Sequence, residues 1–325
     1  MEFIADIPAL LVLVLGLVFL VSGGELLVRG AAALALKADI PPLIIGLTVV
    51  SMGTSAPELF ASVEAALEGH PGLAVGNVLG SNVANLALIL GLTALIRPVT
   101  VDRMALRLDI PLMLGASLLF MAVASDLEMT RTEGIGALVL MGLFIASLFL
   151  RAQNQENPDD GDVSKTTEWA SKSALALVTV ILAGTGGLYF GSEAFVDGAS
   201  RIALHLGVSD HVIGLTVVAF GTSVPELVAS GLAAWRGQSD LALGNVVGSN
   251  LFNLLLVLGT TATITPLPMG PEVLSWDVWW VLGAAAAVIP LALLSGLRTP
   301  RLGRWQGGLF VLAYLIYIGT TWTGL

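Results

Sequence analysis

The chain has 325 residues, of which 56% are hydrophobic and 12% charged, and its mean hydropathy is +0.90. Soluble domains are roughly 25% charged, so this composition excludes an ordinary soluble globular protein. The absence of cysteine excludes disulfides and thiolate metal sites. Much of the net charge of −10 comes from the loop between Glu156 and Glu168, and nothing in the chain is basic enough for a nucleic-acid partner.

Apolar runs of about 20 residues, the length that crosses a bilayer core, recur along the whole chain. The first five spans are predicted at 9–36, 40–68, 72–95, 104–125 and 132–150. A polar, acidic stretch at 151–170 is predicted to be a flexible cytoplasmic linker. Five more spans are predicted at 173–203, 209–236, 240–263, 274–295 and 305–322. The predicted fold is therefore an all-α polytopic membrane protein with ten transmembrane helices.

An internal repeat relates the two groups of spans. Residues 46–98 align with residues 214–266 without a gap, and 33 of the 53 aligned positions are identical. Because each half has an odd number of spans, the second half must cross the membrane in the opposite sense. The chain is predicted to contain two inverted five-helix repeats, at 1–150 and 171–325, a design that recurs in secondary transporters.

The basic residues test this topology, because Lys and Arg concentrate in cytoplasmic loops. With an extracytoplasmic N-terminus, 12 of the 14 Lys and Arg residues fall on the cytoplasmic side, and only Arg131 and Arg201 fall outside. We therefore expect a protein of the cell (inner) membrane with both termini extracytoplasmic.

Two glutamates within the spans are the strongest functional signal. The motif Gly-Thr-Ser-Ala-Pro-Glu at 53–58 recurs as Gly-Thr-Ser-Val-Pro-Glu at 221–226, midway along the second and seventh spans. An ionised carboxylate at mid-bilayer costs at least about 2.5–3.5 kcal/mol, and neither span has a Lys or Arg at matching depth. Glu58 and Glu226 are predicted to bind a cation. The alternative is that both are protonated and hydrogen-bond neighbouring helices together.

Each motif also carries a proline that interrupts its helix. Pro57 and Pro225 have no N–H to bond the carbonyl four residues earlier, and their rings displace that carbonyl. Main-chain oxygens around Thr54 and Thr222 are therefore predicted to be free. Irregular backbone at this depth is tolerated only in the protein interior or beside a cavity, which favours an ion site at each break.

A second pair of motifs follows, Gly-Asn-Val-Leu-Gly-Ser-Asn-Val-Ala-Asn at 76–85 and Gly-Asn-Val-Val-Gly-Ser-Asn-Leu-Phe-Asn at 244–253. Their glycines are interpreted as helix-packing positions, and Asn85 and Asn253 as residues that face the site. Together the motifs supply carboxylate, hydroxyl, amide and carbonyl oxygens. Hard cations prefer such sites, and calcium takes six to eight oxygen ligands.

Other charged residues in the spans are expected to have lesser roles. Glu25 and Glu193 are a repeat pair near the ends of their spans and are expected to be structural or to face the interface. Glu64 has Leu232 at the equivalent position and is expected to be peripheral. The three histidines, whose spacing suits no metal site, are interpreted as loop residues.

The paired motifs resemble the alpha-repeats of the sodium/calcium exchanger family, within the calcium/cation antiporter superfamily. The resemblance covers both repeats and the ten-span layout, and so nearly the whole chain. It implies that Glu58, Glu226 and the carbonyls of Thr54 and Thr222 ligate calcium. It further implies sodium sites at these glutamates and at Ser55, Ser223, Ser81, Ser249 and the carbonyls of Ser51 and Ala219, with Asn85 and Asn253 at their centre.

The resulting hypothesis is a secondary active antiporter, not an enzyme, that exchanges calcium for sodium by alternating access. Calcium and sodium are the transported ions, no cofactor is expected, and the protein is expected to work as a monomer in the bilayer. The large cytoplasmic regulatory domains of animal exchangers are missing from this sequence, so no separate calcium-sensing module is expected. Because potassium-dependent members carry aspartate at the position of Asn253, the resemblance also argues against potassium co-transport.

Three other functions are considered. The nearest is a calcium/proton antiporter that uses the same two carboxylates. A cation channel is a second, against which the inverted repeat and the lack of a filter-like loop argue. An intramembrane enzyme is a third, but the chain has no His-Glu-x-x-His motif and no nucleophile–base pair at working spacing.

Overall fold

The computed structural model describes residues 8–154, 169, 171–206 and 221–323. These residues are almost entirely helical. In chain order the helices are α1 (Ala9–Ala38), α2 (Pro42–Thr54), α3 (Ala56–Leu67), α4 (Pro71–Ile96), α5 (Ala105–Asp126), α6 (Arg131–Asn154), α7 (Ala174–His205), α8 (Val224–Trp235), α9 (Ser239–Ile264), α10 (Val273–Leu293) and α11 (Arg304–Thr323).

Seven of these helices are long and apolar enough to cross a membrane, and the count is eight if α2 and α3 form one bent span. The chain is thus a helical membrane protein, as predicted, and the helix bounds follow the predicted spans closely. The seventh predicted span, 209–236, is described only over its second half, as α8. Nearly all of the predicted linker at 151–170 lies outside the described residues.

Helices α4 and α9 form the centre of the molecule. Within their apolar stretches 72% and 94% of residues are buried inside the protein, against at most 39% in the other long helices. Each contains a π-helical stretch at the equivalent place, Ala84–Ile89 in α4 and Phe252–Val257 in α9. Such stretches are frequent at functional sites, and the apolar pattern of the sequence carried no sign of them.

The long helices α1 and α7 cross in close antiparallel contact. Gly16 and Gly23 of α1 face Gly191 and Gly184 of α7. A Cβ atom on Gly184 would lie 2.5 Å from the backbone nitrogen of Leu27, so no side chain fits there. Gly16 and Gly23 are the repeat equivalents of Gly184 and Gly191, and both pairs are spaced by seven residues. This spacing lets the two backbones touch along several turns.

The predicted packing role of the motif glycines is confirmed in α9. A Cβ atom on Gly244 would meet the carbonyl oxygen of Leu43 at 2.5 Å, and one on Gly248 would meet Ser51 Oγ at 2.6 Å. A Cβ atom on Gly76 or Gly80 of α4 would meet nothing within 4 Å among the described residues.

Two short antiparallel strand pairs join loops of the two halves. β1 (Val99–Thr100), after α4, pairs with β4 (Arg301–Leu302), before α11. β2 (Glu128–Met129), before α6, pairs with β3 (Leu267–Pro268), after α9. Each pair therefore links the loop after the third span of one half to the loop before the fifth span of the other.

A buried ion pair fastens α5 to α6. Arg151 Nη1 donates to Asp109 Oδ1 at 2.8 Å, and the two side chains are 16% and 1% exposed. At the equivalent place in the second half, the Tyr317 hydroxyl of α11 donates to Asp277 of α10 at 3.2 Å. The last two helices of each half are thus tied through an aspartate at equivalent positions, buried in the first half and half-buried in the second.

We expect Arg151→Ala to destabilise the protein by roughly 3–5 kcal/mol, because it leaves the buried carboxylate of Asp109 without its counter-charge. Thermal unfolding of the purified protein in detergent measures the effect. Arg298→Ala, in an exposed loop, is the control and should leave the midpoint unchanged. Adding Asp109→Asn to Arg151→Ala should restore part of the loss. Equal midpoints for Arg151→Ala and Arg298→Ala would contradict the assignment.

Candidate functional site

Both predicted helix breaks are present in the structure. Helix α2 ends at Thr54 and α3 begins at Ala56, with a bend of 44° between them. Ser55 at the break has φ −84° and ψ 5°, and Ser223, just before α8, has φ −89° and ψ 0°. In each half the proline sits in the first turn of the new helix, where its missing N–H costs nothing.

These breaks carry the two glutamates into the protein interior. Glu58 lies in the first turn of α3 and Glu226 in the first turn of α8, and both are fully buried. The two carboxylates lie within electrostatic range of each other, so they would repel each other when both are ionised. Among the described residues no ion pair involves either glutamate, and no third acid or histidine joins them. The helix N-termini favour negative charge here, but no described residue supplies a counter-ion.

Serines from opposite halves surround these carboxylates. Ser55 Oγ, from the first break, donates to Glu226 Oε1 at 3.2 Å. Ser81 approaches Glu58, and its hydroxyl lies 3.3 Å from that of Ser223 at the second break. The structure thus joins the two motifs across the repeat boundary, so that each half contributes a hydroxyl beside the other half's glutamate or serine.

Several buried polar atoms in this region have no hydrogen-bond partner among the described residues. They are both carboxylate oxygens of Glu58, Oε2 of Glu226, both amide atoms of Asn85, and the amide oxygens of Asn250 and Asn253. Buried polar groups are nearly always paired, so their concentration at one place indicates a site for a ligand. All but one are oxygens, which suit a hard cation.

The remaining predicted residues lie around this centre or outside the described chain. Ser51 is buried near the end of α2, and Ser249 Oγ lies 3.5 Å from Thr54 Oγ1. Asn253 Nδ2 donates to Asn82 Oδ1 at 3.1 Å, so α4 and α9 are joined beside the site. Ala219, predicted to offer a carbonyl, is outside the described residues.

The carbonyl freed by Pro225 has a partner that the sequence did not reveal. Ser192 of α7 donates its hydroxyl to the carbonyl oxygen of Gly221. The residue equivalent to Ser192 in the first half is Gly24, which has no hydroxyl to offer. The two breaks are therefore alike in backbone shape but not in their surroundings.

Comparison with known proteins agrees with this geometry. The family model described as "Sodium/calcium exchanger protein" matches residues 8–152 and 176–323. The chain belongs to the sodium/calcium exchanger family. The chain is 32% identical to the sodium/calcium exchanger MaX1 of Methanosarcina acetivorans over 343 residues, which cover 95% of this exchanger and 97% of MaX1.

Two further relatives match nearly the whole length of the exchanger. The inner membrane protein YrbG of Escherichia coli (strain K12) is 38% identical over 320 residues, 94% of each chain. The solved structure of the sodium-calcium exchanger NCX_Mj, soaked with sodium and calcium, superimposes with a TM-score of 0.82 at 31% identity. That match covers 96% of this chain and 98% of NCX_Mj. The similarity therefore extends over both halves.

Sequence reasoning missed a set of polar residues that supports the site. In the exchanger, Thr54 Oγ1 donates to Asn245 Oδ1 at 3.1 Å, and Asn245 Nδ2 donates to Ser230 Oγ at 2.9 Å. The other half repeats the arrangement: Thr222 donates to Asn77 at 3.4 Å and Asn77 to Ser62 at 3.1 Å. Their recurrence at the repeat offset of 168 residues was the available signal.

These two series of hydrogen bonds join the two halves of the protein. Thr54 belongs to the first break, whereas Asn245 and Ser230 belong to the second half on α9 and α8. The amide of Asn245 therefore fixes the residue at which α2 ends, and with it the direction of that residue's carbonyl. Side chains that orient ligands in this way typically contribute 10–100-fold to metal affinity or activity.

We expect Asn245→Ala to weaken calcium binding by about tenfold or more, because the Thr54 hydroxyl and the Ser230 hydroxyl both lose a buried partner. Ser230→Ala removes only the outer bond, so we expect a smaller effect from it. Isothermal titration with calcium in detergent measures both, and thermal unfolding checks that the variants fold. If Asn245→Ala lowers stability but leaves calcium affinity unchanged, Asn245 has only a structural role.

Proposed function

We propose that this exchanger moves calcium in exchange for sodium by alternating access, through one site built on Glu58 and Glu226. One observation carries the proposal: two fully buried carboxylates lie close together among oxygens that have no hydrogen-bond partner, with no basic side chain paired to them in the part of the chain that the structure describes. The names of MaX1 and NCX_Mj describe sodium/calcium exchangers. This supports sodium, rather than the proton, as the coupling ion.

The proposed calcium ligands are the carboxylates of Glu58 and Glu226 and the main-chain carbonyls of Thr54 and Thr222. Two negative charges balance one calcium ion or a larger number of sodium ions. The proposed sodium ligands add the hydroxyls and carbonyls at Ser51, Ser55, Ser81, Ala219, Ser223 and Ser249, around Asn85 and Asn253. Because these sets share the glutamates, the two ions would compete rather than bind together.

The strand pairs support the proposal of ten helices in two inverted repeats. The β1·β4 pair joins the loop after the third span of the first half to the loop before the fifth span of the second. These two loops lie on the same side of the membrane only if the halves are inverted. The β2·β3 pair repeats the relation at the other two loops. The antiparallel contact of α1 and α7, the first spans of the two halves, also supports inversion.

The proposed orientation has both termini extracytoplasmic and the linker at 151–170 in the cytoplasm, between repeats at 1–150 and 171–325. Its support is the distribution of 12 against 2 basic residues between the two sides. A transporter with inverted repeats can exchange the conformations of its halves and so open to opposite sides.

The bare carboxylates would couple the two fluxes. With no cation bound, closing the site would seal two repelling charges away from water, which costs several kcal/mol for each ion. Binding of calcium, or of several sodium ions, removes that cost. Only the loaded protein would then change conformation, so that one ion must be exchanged for the other. Sodium moving down its gradient would drive calcium out of the cell.

The test is calcium uptake into liposomes that contain the purified protein and are loaded with sodium. We expect uptake of radiolabelled calcium when the outside sodium is replaced by choline, with pH held equal on both sides by a protonophore. A matched liposome with equal sodium on both sides should take up little. Uptake that follows an imposed pH gradient and ignores the sodium gradient would contradict sodium coupling and support the proton.

A further inference from the structure

A charged contact joins α1 to α8 on one side of the site. The guanidinium of Arg236, at the end of α8, binds both carboxylate oxygens of Glu25 on α1. Arg29, one turn further along α1, approaches the same carboxylate at 2.5 Å. The side chains of Glu25 and Arg236 are 28% and 26% exposed, so the pair is only partly screened by water. Glu25 is therefore structural, as expected, and its partner is 211 residues away.

The repeat-equivalent positions on the other side of the site carry the opposite chemistry. At the offset of 168 residues, Glu25 corresponds to Glu193 on α7, whereas Arg236 corresponds to Glu68 at the end of α3. The pair that attracts on one side is thus replaced by two glutamates on the other. Both of these glutamates are exposed.

Two neighbouring positions extend the difference. Arg29 corresponds to Asp197 on α7, and Leu232 of α8 corresponds to Glu64 on α3. We call the set Glu25, Arg29, Leu232 and Arg236 the Arg236 face. The equivalent set, Glu64, Glu68, Glu193 and Asp197, is the Glu68 face and consists of four carboxylates.

The other described titratable groups near the Glu68 face do not cancel its charge. Arg201 of α7 binds Asp197 at 3.4 Å and lies eight residues beyond Glu193, which is about 12 Å along the helix. His70 follows the end of α3, and His205 ends α7. Even with Arg201 counted, the face has an excess of negative charge.

The two faces also differ in how the helices meet. On the Arg236 face α1 packs along α8, and Gly24 lies directly against Val228 and Leu232. On the Glu68 face α7 and α3 pack less closely, and the Tyr189 and Phe60 rings meet edge-on with their centres 6.4 Å apart. The conformation described here is therefore closed on the Arg236 face and more open on the Glu68 face.

We propose that this unequal pair of faces is a built-in conformational bias of the exchanger. The inference rests on the alternating access proposed above, in which the two halves exchange conformations. In the opposite state α1 leaves α8, which breaks the Glu25–Arg236 pair, and α7 packs on α3, which brings Glu193 toward Glu68. One contact is lost and a repulsion is gained, so the empty protein rests open on the Glu68 face.

The bias has a functional consequence. A ligand shifts a two-state equilibrium only by its difference in affinity for the two states. Opening on the Arg236 face would therefore consume part of the ion-binding free energy, whereas opening on the Glu68 face would not. With the orientation proposed above, the resting exchanger presents its site to the extracytoplasmic side.

The test measures the distance between α3 and α7 directly. The chain has no cysteine, so Leu67→Cys on α3 and Phe190→Cys on α7, both exposed, give a unique pair of spin labels. The full chain in lipid nanodiscs, in choline buffer without sodium or calcium, is examined by pulsed electron spin resonance. We expect mostly the longer distance for the otherwise unmodified protein.

Glu68→Arg places an arginine opposite Glu193, so that the Glu68 face gains the equivalent of the Glu25–Arg236 ion pair. We expect it to shift the ratio of short to long distances by about fivefold or more, within the usual range of coupling between sites. Glu68→Gln removes only the repulsion and should shift it less. Adding Glu193→Gln to Glu68→Arg should remove the part of the shift by which Glu68→Arg exceeds Glu68→Gln. Equal distributions for Glu68→Arg and Glu68→Gln, or a shift that persists without Glu193, would overturn the proposal.

Arg236→Gln tests the other face and does not depend on the folding of Glu68→Arg. It should also raise the short-distance population, and an unchanged distribution would count against the bias. Calcium flux separates this proposal from the proposed function. Distances that respond as expected in a protein without sodium-driven calcium uptake would refute only the ion assignment. Unresponsive distances in a protein with normal uptake would refute only the bias.

Discussion

Replacing Glu58 or Glu226 with glutamine is expected to abolish sodium-driven calcium uptake, with a loss of at least about 100-fold. Glutamine keeps the size of the side chain and removes its charge, so the site can no longer balance a divalent cation. Metal sites lose 10–100-fold when only a supporting residue is changed, and these glutamates are the proposed ligands themselves. The measurement is calcium uptake into sodium-loaded liposomes.

The same variants should not be unstable. Because Glu58 and Glu226 lie within electrostatic range of each other in the protein interior and repel each other when both are ionised, removal of one carboxylate should raise the thermal unfolding midpoint in buffer without sodium or calcium. Calcium should raise the midpoint of the unmodified protein by mass action and should no longer do so in the variants. This combination of greater stability and lost transport distinguishes a binding role from misfolding.

Glu64→Gln is the matched control for these variants. Glu64 lies on the same helix, α3, but is exposed, so its substitution should leave calcium uptake within a few-fold of normal. The ligand assignment fails if Glu58→Gln and Glu226→Gln both retain normal uptake. It also fails if Glu64→Gln abolishes uptake as completely as they do.

The second large effect is expected from adding one methyl group between α1 and α7. In Gly184→Ala the new Cβ would lie 2.5 Å from the Leu27 nitrogen and 2.8 Å from the Gly23 carbonyl oxygen. Both atoms belong to backbone that cannot rotate away, so the helices must separate. Inserting extra volume into a packed core costs typically about 1–3 kcal/mol. We expect a lower unfolding midpoint and at least about a tenfold slower exchange.

Gly186→Ala is the control for this experiment. It lies two residues further along α7, and a Cβ there would meet nothing within 4 Å among the described residues. Alanine is also the better helix former, so stability should be unchanged or slightly higher. If Gly184→Ala and Gly186→Ala exchange calcium equally well, close contact of α1 and α7 is not needed for transport.

The sequence by itself determined the class of the protein and predicted the chemistry of the proposed site. Charge content and run length define a membrane protein because the bilayer requires long apolar helices whatever their partners. The recurrence of Pro57 and Glu58 at Pro225 and Glu226 marks the site, since an unpaired buried carboxylate is too costly to keep twice without a ligand. Both signals are local, so they can be recognised without knowledge of the fold.

Only the tertiary structure decided which residues meet. The bond from Ser55 to Glu226, the chain from Thr54 through Asn245 to Ser230, and the Glu25–Arg236 pair all join residues far apart in sequence. Periodicity within one helix states which face is buried but does not state which helix covers it.

The π-helical stretches that carry Asn85 and Asn253 were likewise invisible in the sequence, because one extra residue in a turn leaves the apolar pattern almost unchanged. The difference between the Arg236 face and the Glu68 face also needed the structure. The repeat alignment contains the charges, but only the packing of α1 on α8 and the separation of α7 from α3 give them a physical effect. That effect arises because charges interact through space rather than along the chain.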